Sequence, residues 1–312
     1  MRARGVVLQG VLAAAGLAAA FFVWQREPVG APGEVVVLDA PKRALERVRY
    51  EDASVQVELF REGTKDGELW LRLGAKRELR ANEIAEQLFA RFAPLLATRS
   101  LGVLDAERLA EVGLKDSHRK LAVKLSSGEH TFTLAASSSG WGSPYLRREM
   151  DGHVFLLPPS LLPDLENAAH RLVDRTLHTF GASEYDALTI TVGSTSRTFL
   201  VRARAQRPAE FLPREAPDSP DETAWKWHER VWLLSPAQTD FLGRGEVPPG
   251  GEPRESFRVE YLRGDQRLGQ LTVARGAGGE FYARTEHTAG WAKLPPWADS
   301  IVLEAEKVAT GR

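Results

Sequence analysis

The sequence predicts an α+β protein: an N-terminal transmembrane helix followed by two related antiparallel-sheet-plus-helix modules. Three observations predict it. Residues Gly5 to Trp24 form an apolar run of twenty residues with a single polar side chain. Beyond it, polar/apolar alternation of period two gives way in places to the 3.6 period of helices. A 50-residue pattern also occurs twice, about 137 positions apart.

The apolar run GVVLQGVLAAAGLAAAFFVW has Gln9 as its one polar side chain. Twenty residues at about 1.5 Å each span about 30 Å, the thickness of a bilayer's hydrocarbon core. Arg2 and Arg4 precede it, while Arg26 and Glu27 nearly cancel after it. The positive-inside rule then places residues 1–27 as a cytoplasmic stub and anchor and sends the rest across the membrane. The alternative is a cleavable signal peptide, whose apolar core is about 7–15 residues. Cleavage after Ala18-Ala19-Ala20 would leave Phe21-Phe22-Val23-Trp24 exposed, so the anchor is the better reading.

Residues 28–44 read as a linker and 45–180 as the first module. Ala53 to Arg61 and Glu68 to Leu73 alternate and form a hairpin around a turn-rich EGTKDG. Between Arg80 and Leu96 the period becomes helical, with Ile84, Leu88, Phe89, Phe92 and Leu95 on one face and Asn82 as N-cap. A short helix at Asp105 to Glu111 follows. Strands are predicted at Lys120–Leu125, His130–Ala136, Tyr145–Arg148 and His153–Leu157, then a helix from Ser160 to Leu172.

The second module, 181–312, is predicted as a reduced copy. Leu134, Tyr145 and Arg147 each lie 137 residues before Leu271, Tyr282 and Arg284, and Pro159 lies 136 before Pro295. Strands fall at Leu188–Val192 and Arg197–Ala203. The proline-rich insertion 206–223 reads as an exposed loop that replaces the helix of the first copy. Partner contacts are expected where the copies differ, at Arg80–Leu96 and in that insertion.

Composition narrows function. Hydrophobic content of 43% and charged content of 27% suit a folded, core-burying chain. Removing the three arginines and one glutamate of residues 1–27 leaves 38 basic against 41 acidic side chains, about −3 overall. That balance points away from nucleic acid, whose binding rests on phosphate neutralisation. There is no cysteine, which excludes disulfides, thiolate metal sites and a cysteine nucleophile. No phosphate loop, GxGxxG, HExxH or GxSxG occurs, so no cofactor, metal or catalytic residue is assigned. Glu166, His170 and Asp174 have i, i+4, i+8 spacing, but alternate with Arg171 and Arg175, and a solvated face of ion pairs accounts for them.

The eight tryptophans supply the candidate partner-binding residues: Trp225, Trp227 and Trp232 in AWKWHERVW, and Trp141 in the loop SSSGWGSP. AWKWHERVW reads as a strand burying one tryptophan face. Its alternative is an exposed aromatic patch for a sugar or a protein.

Several segments together resemble a bacterial envelope family known as domain of unknown function 4340. They are Leu69-Trp70-Leu71, Ala81-Asn82-Glu83-Ile84 and Leu95-Leu96-Ala97-Thr98-Arg99, then Glu111-Val112-Gly113-Leu114 and Tyr145-Leu146-Arg147-Arg148. Val154-Phe155-Leu156-Leu157 and Leu172-Val173-Asp174-Arg175-Thr176-Leu177 complete the likeness, which spans about residues 45–235. The resemblance implies an accessory role beside ABC-type transporter permeases or gliding-motility transport components, and offers no active-site residues. The expectation is a membrane-anchored, non-catalytic envelope protein held by residues 5–24 as a single-pass protein of the inner membrane, its C-terminal domain in the periplasm. The alternative is a tethered periplasmic module binding glycan or peptide.

Overall fold

The computed structural model describes residues 34–63, 67–137, 142–202, 209–237 and 240–311. It is mostly β, 40% strand and 20% helix, with three antiparallel sheets. This corrects the predicted α+β class. Strands of up to ten residues carry the architecture, whereas the helices among the described residues are short, none longer than 13 residues.

Among the described residues the elements in chain order are first β1 (Val35–Leu38), β2 (Leu45–Glu51), β3 (Gln56–Arg61), β4 (Leu69–Leu73), β5 (Arg77–Arg80) and helix α1 (Glu83–Ala90). Next come β6 (Leu95–Ala97), β7 (Arg99–Val103), α2 (Ala106–Glu111), β8 (Arg119–Leu125), β9 (Gly128–Ala135), β10 (Tyr145–Arg148) and β11 (His153–Leu156). Two short helices, α3 (Leu161–Glu166) and α4 (Ala168–Arg171), precede β12 (Ala187–Val192), β13 (Thr195–Arg202) and β14 (Glu210–Pro213). The chain ends with α5 (Glu222–Trp232), β15 (Arg254–Arg263), β16 (Gln266–Arg275), β17 (Phe281–Thr285), β18 (Ala292–Lys293) and α6 (Ala298–Thr310).

Contacts divide the chain into two compact units that are not consecutive in sequence. In the first, 1–45 with 90–161, strands lie in the order β8-β9-β10-β11-β7 and β1 pairs with β6. Leu114, Ala135 and Val154 form a small core there under Leu101, Leu109 and Val112. Asp105 caps α2 by accepting a hydrogen bond from Arg108 N at 2.9 Å. In the second unit, 46–89 with 162–312, β5-β4-β3-β2 form one run and β14-β13-β12-β15-β16-β17-β18 a seven-stranded sheet. On that sheet Phe257, Val259, Tyr261, Leu271 and Val273 alternate with polar residues and are buried, as period-two geometry demands of a one-sided sheet. Helix α6 packs on β12, β13 and β15, and α5 packs on α6 and β14.

The succession of elements recurs along the chain. Four strands β8 to β11 lead through Pro158-Pro159 to α3, and β15 to β18 lead through Pro295-Pro296 to α6. Leu134 and Leu271 lie in β9 and β16, and Tyr145 and Tyr282 in β10 and β17. Likewise α1 follows β5, and α5 follows β14.

Three further expectations are corrected. The helix read over Arg80–Leu96 stops at Ala90, and Leu95–Ala97 is strand β6. Asn82 does cap it, accepting from Ala85 N at 3.0 Å, but Pro94 lacks an amide and disfavours helical backbone before it. The supposed insertion 206–223 contributes strand β14 and the start of α5; residues 203–208 lie outside the described residues. Finally, among the described residues no helix is long and apolar enough to cross a membrane, so a single-pass inner-membrane placement with a periplasmic C-terminal domain is not supported. The run 5–24 that prompted it lies outside the described residues.

Candidate functional site

The segment AWKWHERVW is helix α5, not a strand. Asp221 caps it, accepting from Ala224 N at 2.9 Å, and Lys226 pairs with Glu222 one turn earlier at 2.7 Å. Ala224, Trp227, His228 and Val231 are buried at i, i+3, i+4 and i+7, a helical stripe that overrides the apparent alternation of the tryptophans.

The helix divides its tryptophans between two tasks. Trp227 is 1% exposed and donates its indole N–H to Ile301 O of α6 at 2.8 Å, which fixes the α5–α6 seam. Trp225 and Trp232, seven positions apart, stand on another side and are only half-buried. With Tyr185, Phe211 and His228 they line a narrow cleft of about 80 Å³, and Leu233, 67% exposed, stands at its lip. Trp141, the fourth candidate, lies outside the described residues.

Behind the cleft the rings form a continuous cluster. His178 stacks on Trp232 at 5.3 Å between centroids with 10° between planes. Tyr261 meets His178 edge-on at 5.0 Å, Tyr185 lies 5.7 Å from Trp232, and Phe211 lies 5.1 Å from His228. These are the separations at which aromatic pairs attract. One face of Trp232 is thus occupied, which holds the indole in place for whatever meets its edge.

Burial sets the protonation of the polar groups beside the cleft. Burial, with the nearby His178 adding to it, pushes His228 down to about 3, so its imidazole is neutral at neutral pH. Its Nε2 lies 3.2 Å from the Tyr261 hydroxyl, whose own pKa burial raises well above normal. A histidine so reluctant to take a proton is a poor general base near pH 7.

Two histidine–carboxylate pairs use the neighbouring residues Glu286 and His287, and the first of them braces His178 in this cluster. His178 Nδ1 lies 3.1 Å from Glu286 Oε1, and His287 Nε2 lies 2.9 Å from Asp174 Oδ2. Burial works to raise both carboxyl pKa values, but hydrogen bonds from the histidines and from Gln270 N and Thr176 outweigh it and hold both below the ordinary range. Gly269 makes room for this: a Cβ there would lie 2.5 Å from Glu286 Oε1 and 2.6 Å from Phe180 Cε1. Asp174 is therefore drawn away from the helical Glu166–His170–Asp174 spacing. Glu166 Oε1 instead lies 3.5 Å from the Tyr50 hydroxyl.

Tyr185, Phe211 and His178 escaped the sequence reading. A 3.6-residue window over 224–232 would have exposed the cleft-facing side of α5, but nothing local ties that helix to residues 178–185 or 211. Comparisons with sequence-family models, with curated proteins and with solved structures return no match to this chain. The fold is mostly β and antiparallel, and one of its clefts is lined by aromatic side chains.

Proposed function

We propose that this chain is a non-catalytic interaction module that holds an apolar side chain of a partner polypeptide in the cleft beside α5. The observation that carries this is the juxtaposition of half-buried Trp225 and Trp232 with the 67% exposed Leu233 around one enclosed space. An aromatic anchor pocket rimmed by exposed apolar surface is the usual centre of a protein–protein contact. The family resemblance makes a component of an ABC-type transporter or another envelope protein the expected partner. The glycan alternative fits less well, because sugars stack on open aromatic faces and His178 covers one face of Trp232.

The test is a titration of the full-length protein with N-acetyl-L-phenylalaninamide and N-acetyl-L-leucinamide, following the indole N–H resonances. The Trp225 and Trp232 signals should move and saturate while that of Trp227 stays, and Trp225→Ala should weaken binding several-fold. Shifts produced only by an oligosaccharide would favour the glycan alternative. Unmoved Trp225 and Trp232 signals throughout would refute the anchor.

A further inference from the structure

The seven-stranded sheet carries a second feature on the polar positions of β15, β16 and β17. Register sets Arg258 opposite Thr272, and Thr272 opposite Arg284. Directly paired residues point to the same side, so two arginines flank one threonine hydroxyl in a row across three strands. Glu260 and Gln270 form the next row. Trp291, packed on Ala274 and Tyr282, stands beside these rows. The space is a groove of about 430 Å³ whose lining includes Glu252, Arg267, Gln270, Thr272, Arg284 and Trp291. That is ample room for a small ligand.

The charges around the groove are unevenly matched. Glu255 holds Arg258 at 2.8 Å, Arg267 lies 3.5 Å from Glu260, and Glu286 holds His178. Glu252 accepts the Trp291 indole N–H at 2.9 Å. Arg284 is exposed, its guanidinium carbon 5.8 Å from the Trp291 ring centroid. Among the described residues it has no carboxylate at ion-pair distance. Gln270 Nε2 donates to Thr272 Oγ1 at 2.9 Å, which leaves the hydroxyl proton for another acceptor. An unmatched guanidinium directly across from an available hydroxyl suits an oxyanion. The surrounding glutamates disfavour a doubly charged phosphate and leave a monoanion as the better match.

We propose that this groove binds a small carboxylate-bearing molecule, its carboxylate held by Arg284 and the Thr272 hydroxyl and its remaining atoms lying beside Trp291. The groove shares Glu286 with the wall behind the cleft beside α5, but the proposal stands whether or not that cleft takes a partner.

The source of the carboxylate can be an amino-acid derivative or a sugar acid, and two probes separate them. Full-length protein is titrated with N-acetylglycine and with D-glucuronate by calorimetry, alongside the neutral controls N-acetylglycinamide and methyl glucoside. At least one acid should bind saturably and its neutral control at least tenfold more weakly. Arg284→Gln should weaken the acid about tenfold or more, the effect of losing a charge-assisted pair, with thermal melting unchanged. Thr272→Val should weaken it several-fold. Arg284→Lys, which keeps the charge, should retain part of the affinity and serves if the glutamine variant does not fold. Binding of N-acetylglycine alone assigns an amino-acid source, and of glucuronate alone a sugar acid. No binding of either acid, equal binding of the neutral controls, or undiminished binding by both Arg284 variants would overturn the proposal.

Discussion

Two sides of one helix, α5, differ in how completely their tryptophans are covered. Toward α6, Trp227 is sealed and its N–H satisfied by Ile301 O. Toward the cleft, Trp225 and Trp232 keep part of their surface in solvent beside an exposed Leu233. The sealed side returns its burial as folding energy. The open side leaves apolar area unused in the isolated chain, and that unused area is available to a partner. The sheet below repeats the division, with Phe257, Val259 and Tyr261 buried and Arg258 and Glu260 between them only partly covered.

The sharpest break of this comparison is Trp227→Ala. It removes a fully buried indole and leaves a cavity, so unfolding free energy should fall by about 3–5 kcal/mol in chemical denaturation. Trp225→Ala should cost clearly less, since only part of its surface is buried. Equal losses at the two positions would erase the distinction between the sides.

Gly269→Ala comes next. The added methyl has to displace Phe180 or the Glu286 carboxylate, so a loss of about 1–3 kcal/mol is expected. A melting temperature equal to the parent's would show that the wall behind the cleft yields easily.

His228 sharpens the comparison through pH. Its folded pKa of about 3 lies below the ordinary 6.5, so the unfolded chain takes up a proton first as pH falls. Stability from this group is present above pH 6.5 and is lost between there and about 3, with a slope of at most about 1.4 kcal/mol per pH unit. Asp174 and Glu286 have depressed values instead. Their contribution is lost only below their ordinary values of 3.8 and 4.5, so neither adds to the loss that His228 brings between about 6.5 and 5. His228→Phe should flatten the stability–pH curve there, whatever it does to stability at pH 7. A slope unchanged in the variant would show that His228 is not the group responsible.

The smallest expected stability effect is at Leu233. Leu233→Ser lies on exposed surface and should stay within about 0.5 kcal/mol of the parent, while weakening the cleft's hold on N-acetyl-L-phenylalaninamide.

What the sequence disclosed follows from the range of its signals. The strands Gln56–Arg61, Leu69–Leu73, Arg119–Leu125 and Tyr145–Arg148 come close to their predicted bounds, because alternation is a local signal. The Asn82 cap was likewise readable. The helix at 222–232 was not, because tryptophans at 225 and 227 mimic period two, while the deciding stripe of Ala224, Trp227, His228 and Val231 includes a histidine that polarity rules count as exposed. The fold class went wrong because the predicted helices are shorter than their apolar stripes suggest: the one at 80–96 ends at Ala90 and the one at 160–172 is two pieces of six and four residues, while strands make up 40% of the structure. The cleft needed long-range information, since Tyr185 and Phe211 meet α5 only in three dimensions. The arginine row is similar: the repeat marked Arg284, but only strand register sets it opposite Thr272.

The central claim, that the open side of α5 is where a partner docks, is tested most directly by photo-crosslinking in the host cell. A benzophenone side chain is placed at position 233, and for comparison at 303 on α6, where Leu303 is 69% exposed. The predicted result is one discrete protein adduct from position 233 that disappears when Trp225→Ala is added, and none from position 303. No adduct at 233, or the same adduct from both positions, would contradict the account.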